Sequence, residues 1–375
     1  MDSCLRYARK NQKAIVALIR EFVECESPSD HPPSIERFTD LLFERVRDIA
    51  NVKKFNGGHL RVEFDLPGNK KQGQILALGH SDTVWTLGTL RTMPFLEKKG
   101  RLWGPGVLDM KAGLAFFIFA MRALRELDIA VSKKVIMQVN ADEEVGSDSS
   151  RALTEDAARS SSAVLVLEPG TGLEGKLKTA RKGVGDYTIT VRGVASHAGV
   201  DFANGANAIV EMARQLERIA GFTRLDEGVT VSPGVIQGGT RSNVVPAECR
   251  AEVDIRAPRD RDRVYLEKKF ASLKPFDKRC TVEISGGLNR PPMERSAGVR
   301  KLYKTAEKLA AELGVTLAES ATGGGSDGNF TAALGVPTLD GLGAVGEGAH
   351  APNESILINR IADRTALLAK LVTAL

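Results

Sequence analysis

Aromatic side chains are only 5% of this 375-residue chain, although 42% of its residues are hydrophobic. Its core must therefore be filled mainly by Val, Leu, Ile and Ala. Cysteine is also scarce. Cys4, Cys25, Cys249 and Cys280 are far apart and form no CxxC pair, which excludes a disulfide framework and reads as reduced thiols. No apolar run is long: "AGLAFFIFAM" (112–121) is followed at once by Arg122 and falls well short of the roughly 20 residues a membrane helix needs. The opening "MDSCLRYARKNQK" lacks the apolar stretch of a secretory signal. These absences lead us to expect a soluble, cytoplasmic protein with no membrane partner. An excess of one charge is missing too. The chain has 52 basic and 47 acidic residues, a net charge of +5, and its Lys and Arg are scattered, which argues against a nucleic-acid partner. Repeats, low-complexity tracts and heptads are absent.

What is present is an alternation of elements. Helical spacing predicts helices over 5–25 and 31–49, a buried helix over 110–127, and further helices over 295–313 and from about 358. Between them, "LRVEFDL" (60–66), "GQILALGHSDTV" (73–84), the stretch 135–140 and "SAVLVLEPG" (162–170) read as strands. Strands alternating with helices predict an α/β fold: a mostly parallel sheet flanked by helices. The pattern then changes. Alternating strands at 183–193, 249–257 and 280–287, with amphipathic helices at 205–219 and 262–273, predict a smaller α+β unit inserted at 182–290. The expected division is 1–181, 182–290 and 291–375, the outer two segments forming one domain.

In open α/β sheets, ligands bind beyond the C-terminal ends of the strands. His80 and Asp82 follow the strand 74–79, Asp109 follows "RLWGPGVL", and "VIMQVNADEEVGS" (135–147) ends a strand with Asp142, Glu143 and Glu144. Glu168 follows the next strand, and "GEGAHAPNE" supplies His350. Taken singly, each has an ordinary reading: His80–Asp82 a surface turn, Asp109 a helix cap, Glu168 a turn residue, His350 a loop histidine. Together they bring imidazoles and carboxylates to one sheet edge. Such a gathering repels itself unless a cation is shared, and its mixed N and O donors suit Zn²⁺, with Co²⁺ or Mn²⁺ as alternatives. His31 and His59 have no such context.

"GHSDTV", "GPGVLDMKAG", "ADEEVGS", "LEPG", "ASHAG" and "GAHAPNE" occur in this order between about residues 75 and 355. The series resembles the motifs of the glutamate carboxypeptidase, acetylornithine deacetylase and succinyl-diaminopimelate desuccinylase family, dinuclear-zinc amidohydrolases of metallopeptidase clan MH. The resemblance implies that His80 and Glu168 bind one zinc, Glu144 and His350 the other, and Asp109 both, with a cis peptide to Met110. It implies further that Asp82 orients His80, that Glu143 is the general base, and that Asp142 is spare. The inserted unit would be a lid and dimerisation domain whose His197, in "ASHAG", steadies the developing oxyanion, often in the other subunit's site.

The substrate side is read from scattered groups. Asn243 in "SNVVPA" and Arg256 resemble the family's carboxylate anchors, and Arg pairs bidentately with a carboxylate. Lys176 and Arg290 resemble the groups that add glutamate preference, while Lys178 and Arg181 are positive charges the pattern does not require. Glycines 323–325, Gly324 among them, would let backbone approach the substrate, with Asp327 holding that loop. The expectation is an enzyme hydrolysing an amide beside a free carboxylate in a small peptide or N-acyl amino acid. Release of C-terminal glutamate is the first reading, and deacylation or dipeptide cleavage the second. A non-catalytic binding protein is disfavoured because every ligand position and the base are present.

Overall fold

Three buried strands organise the first sheet. In the computed structural model, which describes residues 2–375, Gln74–His80, Lys134–Asn140 and Ala163–Val166 run parallel with Gln74–His80 in the middle. Nearly all their residues are buried, as expected of parallel strands covered on both faces. Thr338–Leu339 adds a further parallel strand beside Ala163–Val166. The hairpin Ala50–Lys54 and Leu60–Phe64 completes the six strands on the other edge, antiparallel to Lys134–Asn140. The fold is mixed α/β.

The strands' two-residue period sorts side chains to the two faces. Ile75, Ala77, Val135, Met137, Val139, Ala163 and Leu165 join the main core with helices Ser3–Lys10, Gln12–Glu24, Ala112–Glu126 and Ile361–Ala374. Leu76, Leu78, Ile136, Val164 and Val166 face the other way and pack on Ala157 and Ala158 of helix Arg151–Arg159. Helix Ala112–Glu126 comes so close to the sheet that a Cβ on Gly113 would lie 2.1 Å from the Leu167 carbonyl oxygen, so only glycine fits there. Among the described residues, no helix is long and apolar enough to cross a membrane.

Two expected helices differ in detail. The stretch 5–25 is two helices broken at Asn11, whose side-chain amide donates to the Tyr7 carbonyl at 3.0 Å and closes the first. The helix expected over 110–127 begins at Ala112. Asp109 and Met110 have non-helical backbone in the turn Val107–Lys111, and Asp109 does not cap the helix. Two strands lacked a readable pattern: Ala50–Lys54, which is largely exposed, and Thr230–Gly238, interrupted by Pro233 and Gly234.

The chain divides into two compact units. The first takes the residues up to Ala180, Arg295–Ala321 and Ser326–Leu375; the second takes Arg181–Glu294 and Thr322–Gly325. The sequence placed Arg181, 291–294 and the glycines 323–325 with the outer segments. Hydrogen bonding puts them in the second unit instead. Arg181 pairs through its backbone with Met293 and donates from Nη1 to the carbonyls of Gly324 (3.2 Å) and Gly325 (2.7 Å), and the Lys182 N–H meets Thr322 O at 3.0 Å.

The second unit is an antiparallel sheet in the order Thr230–Gly238, Glu248–Ala257, Gly183–Arg192, Thr281–Arg290. Helices Ala208–Ala220 and Asp260–Ala271 contribute Met212, Ile219, Leu266 and Phe270 to its core. Phe270 stacks on Tyr187 with centroids 3.8 Å apart and meets Phe222 edge-on at 5.6 Å. Replacing Phe270 by Ala leaves a cavity in the aromatic cluster of this core. We expect it to lower the unit's unfolding free energy by about 3–5 kcal/mol, read by urea denaturation; a change below about 1 kcal/mol would mean the core closes around the gap.

Candidate metal centre

His80 is the last residue of its strand and is 2% exposed. Its Nδ1 lies 2.9 Å from the Asp82 carbonyl oxygen and 3.4 Å from Asp82 Oδ1. A proton on Nδ1 donates to that carbonyl and leaves the Nε2 lone pair facing outward. Nε2 is 3.2 Å from Asp109 Oδ1 and 3.5 Å from Glu168 Oε1. The buried Asp82 also reaches the neighbouring strand end. Its Oδ1 accepts from the Glu143 N–H at 3.2 Å, and its Oδ2 from the Glu144 N–H at 3.1 Å and the Ser29 hydroxyl at 2.8 Å.

Asp109 points one oxygen each way: Oδ1 to His80, and Oδ2 to His350 Nε2 at 3.4 Å. The peptide after it, to Met110, is cis, and the Met110 sulfur accepts the His80 N–H at 3.3 Å. His350 has left-handed backbone (φ 60) and sets Nε2 3.2 Å from Glu144 Oε1. Two donor groups result, His80–Asp109–Glu168 and Asp109–Glu144–His350, each with its ligand atoms within 4.8 Å of one another. The first is largely buried; the second opens at His350, whose side chain is 49% exposed.

The charges show what this edge attracts. Asp109 and Glu144 push the His350 imidazole up to about 10. Burial lowers the affinity of His80 for a proton, but Asp109, Asp82 and Glu168 together raise it well above the ordinary value. Burial likewise lifts the Asp109 carboxyl, but the two imidazoles pull it below the usual range. Burial pushes the Glu144 carboxyl up. A field that draws protons this strongly draws divalent cations too. Imidazole nitrogen with carboxylate oxygen is a donor set that fits zinc, cobalt or manganese.

The surrounding groups hold this edge in place. Asp142 is not spare. It accepts from the N–H and hydroxyl of both Ser149 and Ser150, at 2.5–3.3 Å, and ties down the loop after Glu144. His59, for which no role was expected, is buried and accepts the Ala141 N–H on Nδ1 at 3.1 Å. Its Nε2 lies 2.9 Å from the Ser149 hydroxyl, so it is a neutral spacer under the same loop; burial lowers its proton affinity. Asp327 accepts from Asn140 Nδ2 at 2.6 Å and from the Ser147 hydroxyl, so it braces the strand end and the turn.

The substrate-side residues fare unevenly. Lys176 is not brought to the cluster: its ammonium is 2.8 Å from the exposed Glu174. Lys178 is the cation that arrives, buried, with Nζ 3.9 Å from Glu168 Oε2 and 4.0 Å from Asp340 Oδ1. No local signal marked it, since Lys176 and Lys178 differ neither in residue type nor in strand parity. Within the second unit, the His197 and Asn243 segments pair through their backbones. The Ala198 N–H donates to Asn243 O at 3.0 Å, and His197 bridges Val244. His197 Nδ1 accepts from Gly199 and Val200 N–H at 3.1 and 3.2 Å, which leaves its other nitrogen as a donor on an exposed ring. Arg256 pairs bidentately with Asp254 at 2.9 and 2.7 Å and reaches Gly323 O at 3.4 Å. Arg290 is buried beside Asn289. Gly324 has open space around it; Gly325 is the confined one, where a Cβ would sit 2.8 Å from the Arg290 chain.

A parallel sheet edge carrying two donor groups that share one carboxylate is an arrangement able to hold two neighbouring cations. The sequence profile of Peptidase family M20/M25/M40 matches residues 76–374, and the chain belongs to that family. Among its relatives, carboxypeptidase G2 of Pseudomonas sp. (strain RS-16) is 28% identical over 375 residues, covering 97% of this chain and 90% of that protein. The fold is shared with the aminopeptidase PepT of Bacillus cereus (TM-score 0.78, 22% identity, 97% and 98% of the two chains). It is shared also with YxeP of Bacillus subtilis, described as a dinuclear metal-binding peptidase (TM-score 0.69, 15% identity, 98% of each chain). The chain is thus an enzyme of the metal-dependent peptidase and amidohydrolase class.

The shared carboxylate makes a specific prediction for metal binding. The wild-type chain should hold about two equivalents of divalent metal. Glu168→Gln and Glu144→Gln should each lose about one of them, and Asp109→Asn should weaken both. Cobalt titration followed by calorimetry reads this; independent, unaltered sites in Asp109→Asn would contradict the bridging role.

Proposed function

We propose that this chain is a two-zinc amidohydrolase that cleaves an amide bond beside a free carboxylate, with release of C-terminal glutamate from a small peptide or N-acyl conjugate as the first reading. The observation that carries it is the Asp109 carboxylate facing His80 and His350 with one oxygen each. His80, Glu168 and Asp109 would hold one cation; Asp109, Glu144 and His350 the other, with Co²⁺ or Mn²⁺ able to replace zinc. When bound, such a pair would supply Lewis acidity toward the amide carbonyl and would lower the pKa of a nearby water toward about 7.

The protein's own groups do the rest. Glu143, its backbone N–H anchored on Asp82, takes the proton of the attacking water and delivers it to the departing amine. Asp82 keeps the His80 ring oriented. His197, with Nδ1 occupied by backbone donors, offers Nε2–H to the oxygen that gains charge. Asn243 and Arg256 anchor the substrate carboxylate, Arg290 assists, and Gly324 lets backbone approach. The proposed assembly is a homodimer through the second unit, whose strand Thr230–Gly238 exposes Val235 and Ile236. The free cysteines fit a cytoplasmic setting.

The pairing of Lys176 with the exposed Glu174 supports a second reading, deacylation of an N-acyl amino acid or cleavage of a dipeptide. Zinc-loaded enzyme offered Glu-ended dipeptides, N-acetyl-glutamate and acetylornithine decides between them. Preferential turnover of the Glu-ended compounds supports the first reading, and none with any of them refutes both. Arg256→Ala should raise KM for carboxylate substrates about tenfold or more while leaving metal content intact; an unchanged KM would assign the anchor elsewhere. Glu143→Ala should keep its metal and lose roughly two to four orders of magnitude in kcat; retained turnover would remove it as the base.

A further inference from the structure

One buried carboxylate outside the ligand set touches three of the segments that carry ligands. Glu354 is 0% exposed. Its Oε1 accepts the N–H of Leu108 at 2.8 Å and of Asp109 at 3.1 Å. Its Oε2 accepts the N–H of Gly106 at 2.9 Å and the indole N–H of Trp85 at 2.8 Å. Trp85 lies three residues beyond Asp82, on the loop that leaves His80. Gly106 to Asp109 is the turn that aims the shared carboxylate, and Glu354 closes the segment that opens with His350. The backbone continues the tie: the Gly104 N–H meets Glu354 O at 3.4 Å, and Ser355 pairs with Trp103.

We infer that Glu354 is a positioning residue that sets the mutual register of the His80, Asp109 and His350 segments, and so the spacing of the two cation sites; this rests on the two-metal reading above. The physical case is one of donor count. Each oxygen of Glu354 faces two N–H groups and no other hydrogen-bonding atom, a demand only a carboxylate meets, because it accepts at both ends and donates at neither. Burial costs this anion its hydration, and the four donors offset that loss. A carboxamide has the same shape, but in either rotamer it turns an NH₂ toward two N–H groups. Two hydrogen bonds are then lost and two donor pairs are set against each other. The turn holding Asp109 must shift to relieve them, and metal sites tolerate only about 0.5 Å of such displacement. Because Asp109 belongs to both donor groups, the effect must appear at both sites together.

The test compares Glu354→Gln, Trp85→Phe and Leu371→Ala with the wild-type chain. Leu371 is fully buried in helix Ile361–Ala374 and reports what lost core packing does alone. Each protein is titrated with Co²⁺ by competition with a chromogenic chelator, and its melting temperature is recorded. Glu354→Gln should weaken both Co²⁺ sites about 10- to 100-fold, and excess metal should restore much of its kcat. Trp85→Phe, which keeps three of the four donors, should fall between it and wild type. Leu371→Ala should melt lower with Co²⁺ affinity unchanged. Wild-type Co²⁺ affinity in Glu354→Gln, or loss at one site alone, would overturn the inference while leaving the two-metal reading intact. Failure of the wild-type chain itself to bind Co²⁺ would overturn both.

Discussion

Carboxylates gathered where water is scarce repel one another, and that repulsion governs the first unit. Asp82, Asp109, Glu144 and Glu168 reach one sheet edge with His80 and His350, and Glu354 lies buried behind Asp109. Such a group is stable only if positive charge is shared among its members or donors surround them. Both devices are used. The inward-facing acids meet imidazoles and present two donor groups to cations, whereas Asp142, Asp327 and Glu354 are satisfied by N–H and hydroxyl donors. Acids of the first kind form the proposed cation sites, and acids of the second hold the loops around them.

The sheet makes this convergence possible at low cost. Parallel strands end on the same side, so the residues after Gln74–His80, Lys134–Asn140 and Ala163–Val166 emerge together although they are far apart in the chain. Burial on both faces fixes the register, since a slip of one residue would exchange Leu76 and Leu78 for Ile75 and Ala77 between the two cores. Rigid strands thus deliver the donor side chains, while irregular backbone at Asp109 and His350 turns theirs toward a common point. The second unit, by itself, pairs the backbone of the His197 segment with that of Asn243 and Val244 and brings Arg256 next to the Gly323 carbonyl.

Much of this was legible in the chain. Continuous apolar runs ending in polar residues marked the three central strands, because burial on both faces leaves no room for polar alternation. His80, Glu144 and Glu168, which follow those runs, meet there, joined by Asp109 and His350 from irregular backbone elsewhere in the chain. Other features were hidden for physical reasons. Asn11 breaks a helix that periodicity alone would continue. The strands Ala50–Lys54 and Thr230–Gly238 are too exposed to show a hydrophobic pattern. Asp142 looked unemployed because its partners are serines, which carry no distinctive signal.

Local sequence, then, determined which residue types stand at the strand ends and what chemistry they offer, because apolar pattern and residue identity are properties of short stretches. Only the tertiary structure decided which charges face the cluster and which face solvent. Lys176 and Lys178 are two residues apart and chemically identical, yet one pairs with Glu174 at the surface and the other lies buried beside Glu168. Glu354 has the same character, since its four donors come from segments some 245 to 270 positions earlier in the chain. Hydrogen bonds of that range have no trace in any local window; they exist only once the sheet has brought the segments together.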